Sequence, residues 1–326
     1  MYKVNRFDSK GKEYLRLLDK YYPALAELLR LYKKGYKKPF PESGERGTPM
    51  KDSLREYLSY GGFILPLLKV KKTIRPQKVQ WGNRAQYFLH YSAPSPKGRT
   101  LVIYIHGGGW NSGSPSDFHF IGQRFALEGY DCILPGYRKA PKYHYDGIAD
   151  DIFRGYREIQ AYLRGKNAAY TNITVVGSSA GAHLGALLCF DSERREKHAI
   201  APGQPDAFVS LAGPLCFDFP QTWAQNKLMR GLFSSSSMAV WKTGEPLSKL
   251  RSGQGVRTLV VQSRHDGVIG FEQAEAFCRR ALELGIDAEL FEVPEARNTH
   301  SAYSAGIFLR TCQESATLRR VFDWIS

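Results

Sequence analysis

The chain has 326 residues, of which 43% are hydrophobic and 24% are charged, a composition typical of a globular protein rather than a disordered one. The formal net charge is +15, but residues 1–80 carry 19 Lys and Arg against 8 Asp and Glu, so most of the excess lies in the first quarter of the chain. No stretch is apolar enough to span a membrane and the first residues do not resemble a secretory signal, so we expect a cytoplasmic protein.

The basic first 70 residues are predicted to be helical. Apolar side chains recur with helical spacing between residues 10 and 34, and Pro23 divides this stretch into two short helices. The Lys and Arg residues on the opposite face form either a solvated surface or a docking surface for an anionic partner, without specific nucleic-acid recognition. We therefore assign residues 1–70 to a cap, lid or docking element, and residues 71–326 to the main domain.

From residue 73 onward, predicted strands and helices alternate. The strands are predicted at residues 73–81, 86–91, 101–105, 132–134, 173–176, 208–211, 258–261 and 289–293, and the helices at residues 118–128, 148–163 and 271–284. This alternation predicts an α/β fold with a mostly parallel central sheet flanked by helices. It stops at about residues 215–251, which we interpret as an insertion acting as a cap.

The aromatic residues of this insertion have two interpretations. They either line a substrate pocket or belong to the hydrophobic core. The residues concerned are Phe217, Phe219, Trp223 and Trp241.

Cysteine usage gives a separate prediction. The chain has five cysteines, without the spacing of metal ligands: Cys132, Cys189, Cys216, Cys278 and Cys312. An odd number scattered through a large domain indicates reduced thiols packed in a core. Because the histidines and acids also lack ligand spacing, we expect no catalytic metal.

The motif G-x-S-x-G occurs at residues 177–181 as GSSAG. It follows the apolar strand ITVV and precedes the helix-forming run AHLGALL, which is the context of a nucleophile elbow. A sharp strand-to-helix turn raises the central serine above the sheet, and the flanking glycines prevent clashes at the turn. The central residue, Ser179, is therefore the predicted nucleophile, and Ser178 is its neighbour.

A glycine-rich loop, HGGGW at residues 106–110, directly follows the predicted strand LVIYI. Residues without side chains allow backbone N–H groups to approach a substrate oxygen closely. We expect the N–H groups of Gly107, Gly108 and Ala180 to form an oxyanion hole.

These two motifs, together with YRKAP at residues 137–141, resemble the hormone-sensitive-lipase-like branch of the α/β-hydrolases and the related acetyl-esterase-type carboxylesterases. The resemblance covers roughly residues 70–326 and implies an α/β-hydrolase fold that cleaves acyl esters without a cofactor. The chain departs from the usual pattern at Ser178, where family members have an acidic residue, at Ala182, where they have glycine, and at Gly136, where they have aspartate.

A serine nucleophile needs a histidine to accept its proton and a carboxylate to orient that histidine. In the family fold the chain order is serine, acid, histidine, and His300 is the only one of the eight histidines that lies downstream of every plausible acid. Asp266 follows the strand TLVVQ in a turn similar to the one that carries the acid in many family members.

Three other residues were weighed for the same roles. His265 neighbours Asp266 but would face the opposite way in an extended turn. Asp287 precedes its strand and so lies at the wrong end of the sheet. His106 is better explained as a structural partner of the glycine-rich loop.

The sequence thus predicts a serine carboxylesterase, and the resemblance implies that its substrates are short-chain acyl esters of small molecules. An arylformamidase-like hydrolase of small amides is the first alternative, because some proteins with similar motifs cleave amides. The second alternative is a hydrolase-fold protein that its basic first segment recruits to an anionic partner.

Overall fold

The computed structural model describes residue 56 and residues 70–200, 205–219, 221–296 and 298–326. The two helices predicted between residues 10 and 34 lie outside the described residues, as does the rest of the basic segment apart from Glu56 and Val70. The side chain of Trp223 is also outside the described part. The assignment of residues 1–70 to a cap, lid or docking element therefore stays a prediction.

A single sheet of eight strands forms the centre of the described part of the chain, in the order β1-β2-β4-β3-β5-β6-β7-β8. The strands are β1 (Gln77–Gln80), β2 (Tyr87–Tyr91), β3 (Thr100–Ile105), β4 (Asp131–Pro135), β5 (Asn172–Ser178), β6 (Ala207–Leu211), β7 (Arg257–Gln262) and β8 (Ala288–Glu292). The strand pairs β1–β2 and β2–β4 are antiparallel, and every other pair is parallel. The predicted mostly parallel α/β sheet is confirmed.

Helices connect and cover these strands. They are α1 (His119–Leu127), α2 (Tyr145–Gly165), α3 (Ala180–Phe190), α4 (Ser192–Lys197), α5 (Trp223–Phe233), α6 (Met238–Lys242), α7 (Phe271–Glu283), α8 (His300–Ser304) and α9 (Ala316–Ile325). The three predicted helices correspond to α1, α2 and α7. Helix α9 was not predicted from the sequence, although the Ser315 hydroxyl accepts a hydrogen bond from the Leu318 N–H at 3.1 Å and so caps it.

The first predicted strand is shorter than expected. It begins at Gln77 rather than at residue 73. Pro76 has no N–H to offer a sheet ladder, and the N–H groups of Thr73 and Ile74 instead donate to the side-chain oxygen of Gln123 at 2.7 and 3.2 Å.

Continuous apolar runs explain why the central strands lie inside. Every residue of β3 from Leu101 to Ile105 is at most 1% exposed, as expected for a parallel strand with helices on both faces. Helix α2 turns Ile148, Ile152 and Ile159 toward this core. The five cysteines are free thiols, four buried and Cys312 half-buried.

The register of the parallel strands positions the loops that carry the motifs. Ile105, the last residue of β3, pairs with Gly177 of β5, so the glycine-rich loop and the serine turn emerge side by side. Strands β7 and β8 lie two and three strands beyond β5, and their last residues, Gln262 and Glu292, are paired. All four loops therefore leave the carboxyl edge of the sheet, where ligand sites of open α/β sheets lie.

The predicted insertion contains α5 and α6, and its two ends meet where the Leu247 N–H donates to the Leu215 carbonyl at 2.9 Å. Of the four aromatic residues named in the sequence analysis, Phe217 and Trp241 are buried in the hydrophobic core, so for them the core interpretation is the correct one. The role of the insertion as a cap stays a prediction.

Across the described residues, no helix combines the length and the apolar composition that a membrane crossing requires.

Candidate active site

Ser179 occupies the turn between β5 and α3. Its backbone lies at φ 52° and ψ −122°, a region that L-residues rarely adopt, and its N–H donates to the Leu211 carbonyl at 2.8 Å. The turn is too tight for a side chain at Gly181, where a Cβ atom would overlap the Ile105 carbonyl oxygen. The local backbone therefore has the strained geometry that the motif predicts.

The structure brings the three predicted side chains together in one chain of hydrogen bonds. Ser179 Oγ lies 2.8 Å from His300 Nε2, and His300 Nδ1 lies 2.9 Å from Asp266 Oδ2. His300 is 6% exposed and Asp266 is fully buried. The three residues come from the loops after β5, β7 and β8, whose strands end at the same edge of the sheet.

The Asp266 carboxylate is held by several donors at once. Oδ1 accepts the N–H groups of Val268 and Ile269 at 2.8 and 2.9 Å. Oδ2 accepts the Tyr303 hydroxyl at 2.5 Å and the Gln262 amide at 3.3 Å. These bonds fix the orientation of the carboxylate before any substrate binds.

The tautomer of His300 follows from its partners. An ionised carboxylate can only accept, so Nδ1 carries the proton toward Asp266 and Nε2 is free to accept the Ser179 hydroxyl. Burial by itself lowers the pKa of His300, but the charge of Asp266, its hydrogen bond and the charge of Glu56 outweigh burial and raise that pKa. His300 is therefore a stronger base than a histidine in water.

The glycine-rich loop lies directly against the serine. A Cβ atom on Gly107 would lie 3.2 Å from the Ser179 Cβ and 2.9 Å from the Ser178 carbonyl oxygen. The Gly108 carbonyl is turned into its own loop, where it accepts the N–H and hydroxyl of Ser112 at 3.0 and 2.8 Å. The N–H groups of Gly107, Gly108 and Ala180 donate to no other described residue, so they remain available to an acceptor beside Ser179.

His106 supports this loop. Its Nδ1 lies 2.7 Å from the Gly107 carbonyl, its Nε2 lies 3.3 Å from Lys139 Nζ, and its ring stacks on Tyr137. Complete burial and the nearby charge of Lys139 lower the pKa of His106 well below its usual value, so the ring is neutral. His106 is thus a structural partner of the loop, as the sequence indicated.

A second buried histidine connects the loop to the insertion. His183 of α3 accepts the Trp110 indole N–H at 3.3 Å and donates to the Gly244 carbonyl at 2.8 Å. The insertion also contacts the glycine-rich loop through Leu228, whose side chain would overlap a Cβ atom on Gly109. Insertion residues therefore border the loop beside Ser179.

Two of the alternative candidates for the base and the acid, His265 and Asp287, are exposed. Neither is hydrogen-bonded to Ser179 among the described contacts.

Two departures from the family pattern have a structural explanation. The Ser178 hydroxyl is buried and lies 2.7 Å from the Tyr104 hydroxyl, so this position serves packing. A Cβ atom at Gly136 would overlap the Ala85 carbonyl oxygen, so the aspartate usual at this position does not fit this backbone.

Sequence reasoning missed Tyr303, Gln262 and Glu56. Tyr303 lies three residues after His300 on the same face of α8, a spacing that could have revealed it. Gln262 ends β7, four residues before Asp266. Glu56 accepts the His300 N–H at 2.6 Å from 244 positions away, and no local pattern marks it.

Among the described residues, Cys216, Asp218 and Glu245 form a group whose ligand atoms lie within 4.8 Å of one another. The Lys242 ammonium group already bridges the two carboxylates, at 2.5 Å from Asp218 and 2.7 Å from Glu245. Glu245 also accepts the Phe217 N–H at 2.6 Å. These contacts give the group a structural role in the insertion.

Comparison with known proteins agrees with this architecture. The family model described as alpha/beta hydrolase fold matches residues 102–242. Esterase LipQ of Mycobacterium tuberculosis is 24% identical over 226 residues, which cover 65% of this chain and 52% of that protein. Kynurenine formamidase of Salmo salar is 30% identical over 110 residues, which cover 33% of this chain and 35% of that one.

Among solved structures, esterase B from Lactobacillus rhamnosis superposes with a TM-score of 0.63 at 15% sequence identity, covering 84% of this chain and 94% of that chain. The chain spans about half or less of the lengths of the two curated relatives above, 52% and 35%. The sheet order, the serine turn and these matches together show that the chain has the α/β-hydrolase fold, and its motifs resemble those of the hormone-sensitive-lipase-like branch.

Proposed function

We propose that the protein is a serine carboxylesterase in which Ser179 is the nucleophile, His300 the general base and Asp266 the orienting acid. The observation that carries this proposal is the continuous chain of hydrogen bonds from Ser179 Oγ through the His300 ring to Asp266. The name of the relative esterase LipQ supports ester cleavage, since its aligned region covers 65% of this chain.

In this mechanism Ser179 Oγ attacks the ester carbonyl carbon while its proton passes to His300 Nε2. The N–H groups of Gly107, Gly108 and Ala180 donate to the oxyanion that forms, and each such donor is typically worth about 10²- to 10³-fold in rate. The intermediate then expels the alcohol, which takes its proton from His300. Water, deprotonated by His300, then attacks the acyl-enzyme. The second tetrahedral intermediate releases the carboxylic acid, and His300 returns the proton to Ser179 Oγ.

We assign short acyl chains to the substrate. The insertion borders the glycine-rich loop through Leu228. It also borders the loop that carries Asp266, because the Thr222 hydroxyl donates to the Val268 carbonyl at 2.7 Å. This double contact supports a cap that limits the room beside Ser179.

Cleavage of small amides is the second candidate function. The relative named kynurenine formamidase supports it. The same nucleophile, base and oxyanion donors would serve, because an amide passes through the same kind of tetrahedral intermediate, with His300 protonating the leaving amine.

The experiment compares wild type, Ser179→Ala and Ser178→Ala on p-nitrophenyl acetate, butyrate and octanoate and on a matched formanilide. We expect Ser179→Ala to abolish turnover and labelling by a fluorophosphonate probe, with wild-type activity falling as the acyl chain lengthens. Ser178→Ala is the matched control, because its hydroxyl bonds to Tyr104, and it should keep most of the activity.

Other results would change the proposal in defined ways. A preference for the formanilide over the aryl acetate would make the protein an amidase. Ester turnover that survives Ser179→Ala would contradict the assignment of the nucleophile.

A further inference from the structure

Glu56 brings a second carboxylate to the loops that hold the candidate base and acid. Its side chain is almost completely buried, at 4% exposure. Its Oε2 atom accepts the backbone N–H groups of His300 at 2.6 Å and of Gly267 at 3.4 Å. Its Oε1 atom accepts the backbone N–H of Ser301 at 3.3 Å. A single side chain therefore bridges the residue after Asp266 and the first two residues of α8.

Helix α8 needs a capping group from elsewhere in the chain. Its own N-cap residue, Thr299, makes no side-chain capping bond to it. The first N–H groups of a helix have no partner within the helix, and a carboxylate there is favoured by hydrogen bonding and by the helix dipole. Glu56 supplies this carboxylate to His300 and Ser301.

The position also has an electrostatic consequence. Asp266 contacts the His300 ring and Glu56 contacts the His300 backbone, so one buried histidine interacts with two carboxyl groups. Tyr303 is a further titratable group that interacts with this pair, and its hydroxyl donates to Asp266. A negative charge on Glu56 favours the imidazolium form of His300, which must develop in the transition state.

The protonation of Glu56 responds to the same contacts. Burial and the charge of Asp266 raise the pKa of Glu56 to about 7, although His300 and the backbone hydrogen bonds act in the lowering direction. The charge on Glu56 is therefore gained as the pH rises through neutrality.

We propose that Glu56 is a positioning residue, which orients His300 and Asp266 through their backbone and strengthens His300 as a base. This inference rests on the proposed function, since it assumes that His300 accepts the proton of Ser179. It also places one residue of the basic first segment, 1–70, in direct contact with the site.

The experiment uses the full chain with Glu56→Gln, Glu56→Asp and Glu56→Ala. The ¹⁵N chemical shifts of the His300 imidazole are followed during a pH titration, and kcat and KM for p-nitrophenyl acetate are measured from pH 5 to 9. Glu295→Gln is the matched control, because Glu295 likewise accepts a backbone N–H near a helix start, that of Thr317 at 2.8 Å, in α9.

We expect Glu56→Gln to lower the pH at which His300 titrates by about one pH unit, because a neighbouring negative charge is lost. The acid limb of kcat/KM should move to lower pH with it, since His300 must be neutral to act as the base. At the plateau kcat should fall about threefold to thirtyfold, with KM nearly unchanged. Glu56→Asp should restore part of kcat, and Glu56→Ala should lose most.

An unchanged His300 titration in Glu56→Gln would overturn the inference, as would an equal shift in Glu295→Gln. The titration reads His300 directly and needs no turnover. Wild type that binds no fluorophosphonate and cleaves no ester would count against the proposed function alone, while the titration would still decide the role of Glu56.

Discussion

Asp266 and His300 show how a few contacts determine what one side chain can do. His300 has a donor nitrogen facing Asp266 and an acceptor nitrogen facing Ser179, because the carboxylate offers only acceptors. The N–H groups of Val268 and Ile269 stabilise the charged carboxylate, and the Tyr303 hydroxyl adds a third donor. The tautomer of His300 is thus determined by Asp266 and by the donors that hold its carboxylate.

Replacing Asp266 by asparagine tests this arrangement. The amide would offer its N–H₂ group to His300 and favour the wrong tautomer, so we expect kcat to fall on the order of 10⁴-fold with the fold intact. Tyr303→Phe is the matched variant, because it removes only one donor to the same carboxylate, and its loss of kcat should be far smaller. Equal losses in the two variants would contradict the tautomer argument.

At the scale of elements, the meeting of β3, β5 and α3 determines where the serine stands. Ile105 and Gly177 are paired across the two strands, and α3 begins at Ala180 directly beside the end of β3. This packing is so close that the first turn of α3 accepts no side chain at Gly181. The geometry of the turn therefore depends on both strands and the helix.

Gly181→Ala tests this packing. The new methyl group would overlap the Ile105 carbonyl, so we expect the free energy of unfolding to fall by about 1–3 kcal/mol and the activity to fall with it. Gly165→Ala, at the end of α2, is the control, because a Cβ there meets nothing within 4 Å. Denaturant unfolding and ester turnover measure the two effects, and a Gly181→Ala protein as stable as Gly165→Ala would refute the packing argument.

At the scale of the whole molecule, charge is distributed unevenly along the chain. Residues 1–80 have 19 Lys and Arg against 8 Asp and Glu, whereas the rest of the chain is close to balanced. A concentrated positive charge raises the local concentration of anionic surfaces, and salt weakens the effect. The basic first segment thus remains a candidate docking element.

Exchanging Lys33, Lys34, Lys37 and Lys38 for glutamate tests recruitment. We expect binding to vesicles that contain anionic phospholipid to fall at least about tenfold at low salt, and turnover of a small soluble ester to stay within about twofold. Neutral phosphatidylcholine vesicles are the control. Binding that is unchanged by these substitutions would leave the segment as a solvated surface.

Local patterns in the sequence predicted the fold and the motif-bearing loops because these depend on neighbours in the chain. The alternation of strands and helices predicted the sheet, and the apolar strand before GSSAG predicted the turn at Ser179. Predicted element boundaries were less accurate where a distant side chain competed, as Gln123 does for the N–H groups at the start of the first predicted strand. Helix α9 was not predicted, although Ser315 caps its first turn.

By itself, the sequence determined the α/β architecture, the order of the candidate residues and the glycine-rich loop beside the serine. Only the tertiary structure decided the distances from His300 to Ser179, 121 positions away in the chain, and to Asp266, 34 positions away. It also decided that Glu56, 244 positions from His300, lies at this site. The physical reason is that periodicity and turn chemistry act between neighbours, whereas a buried carboxylate finds its hydrogen-bond donors wherever the folded chain brings them.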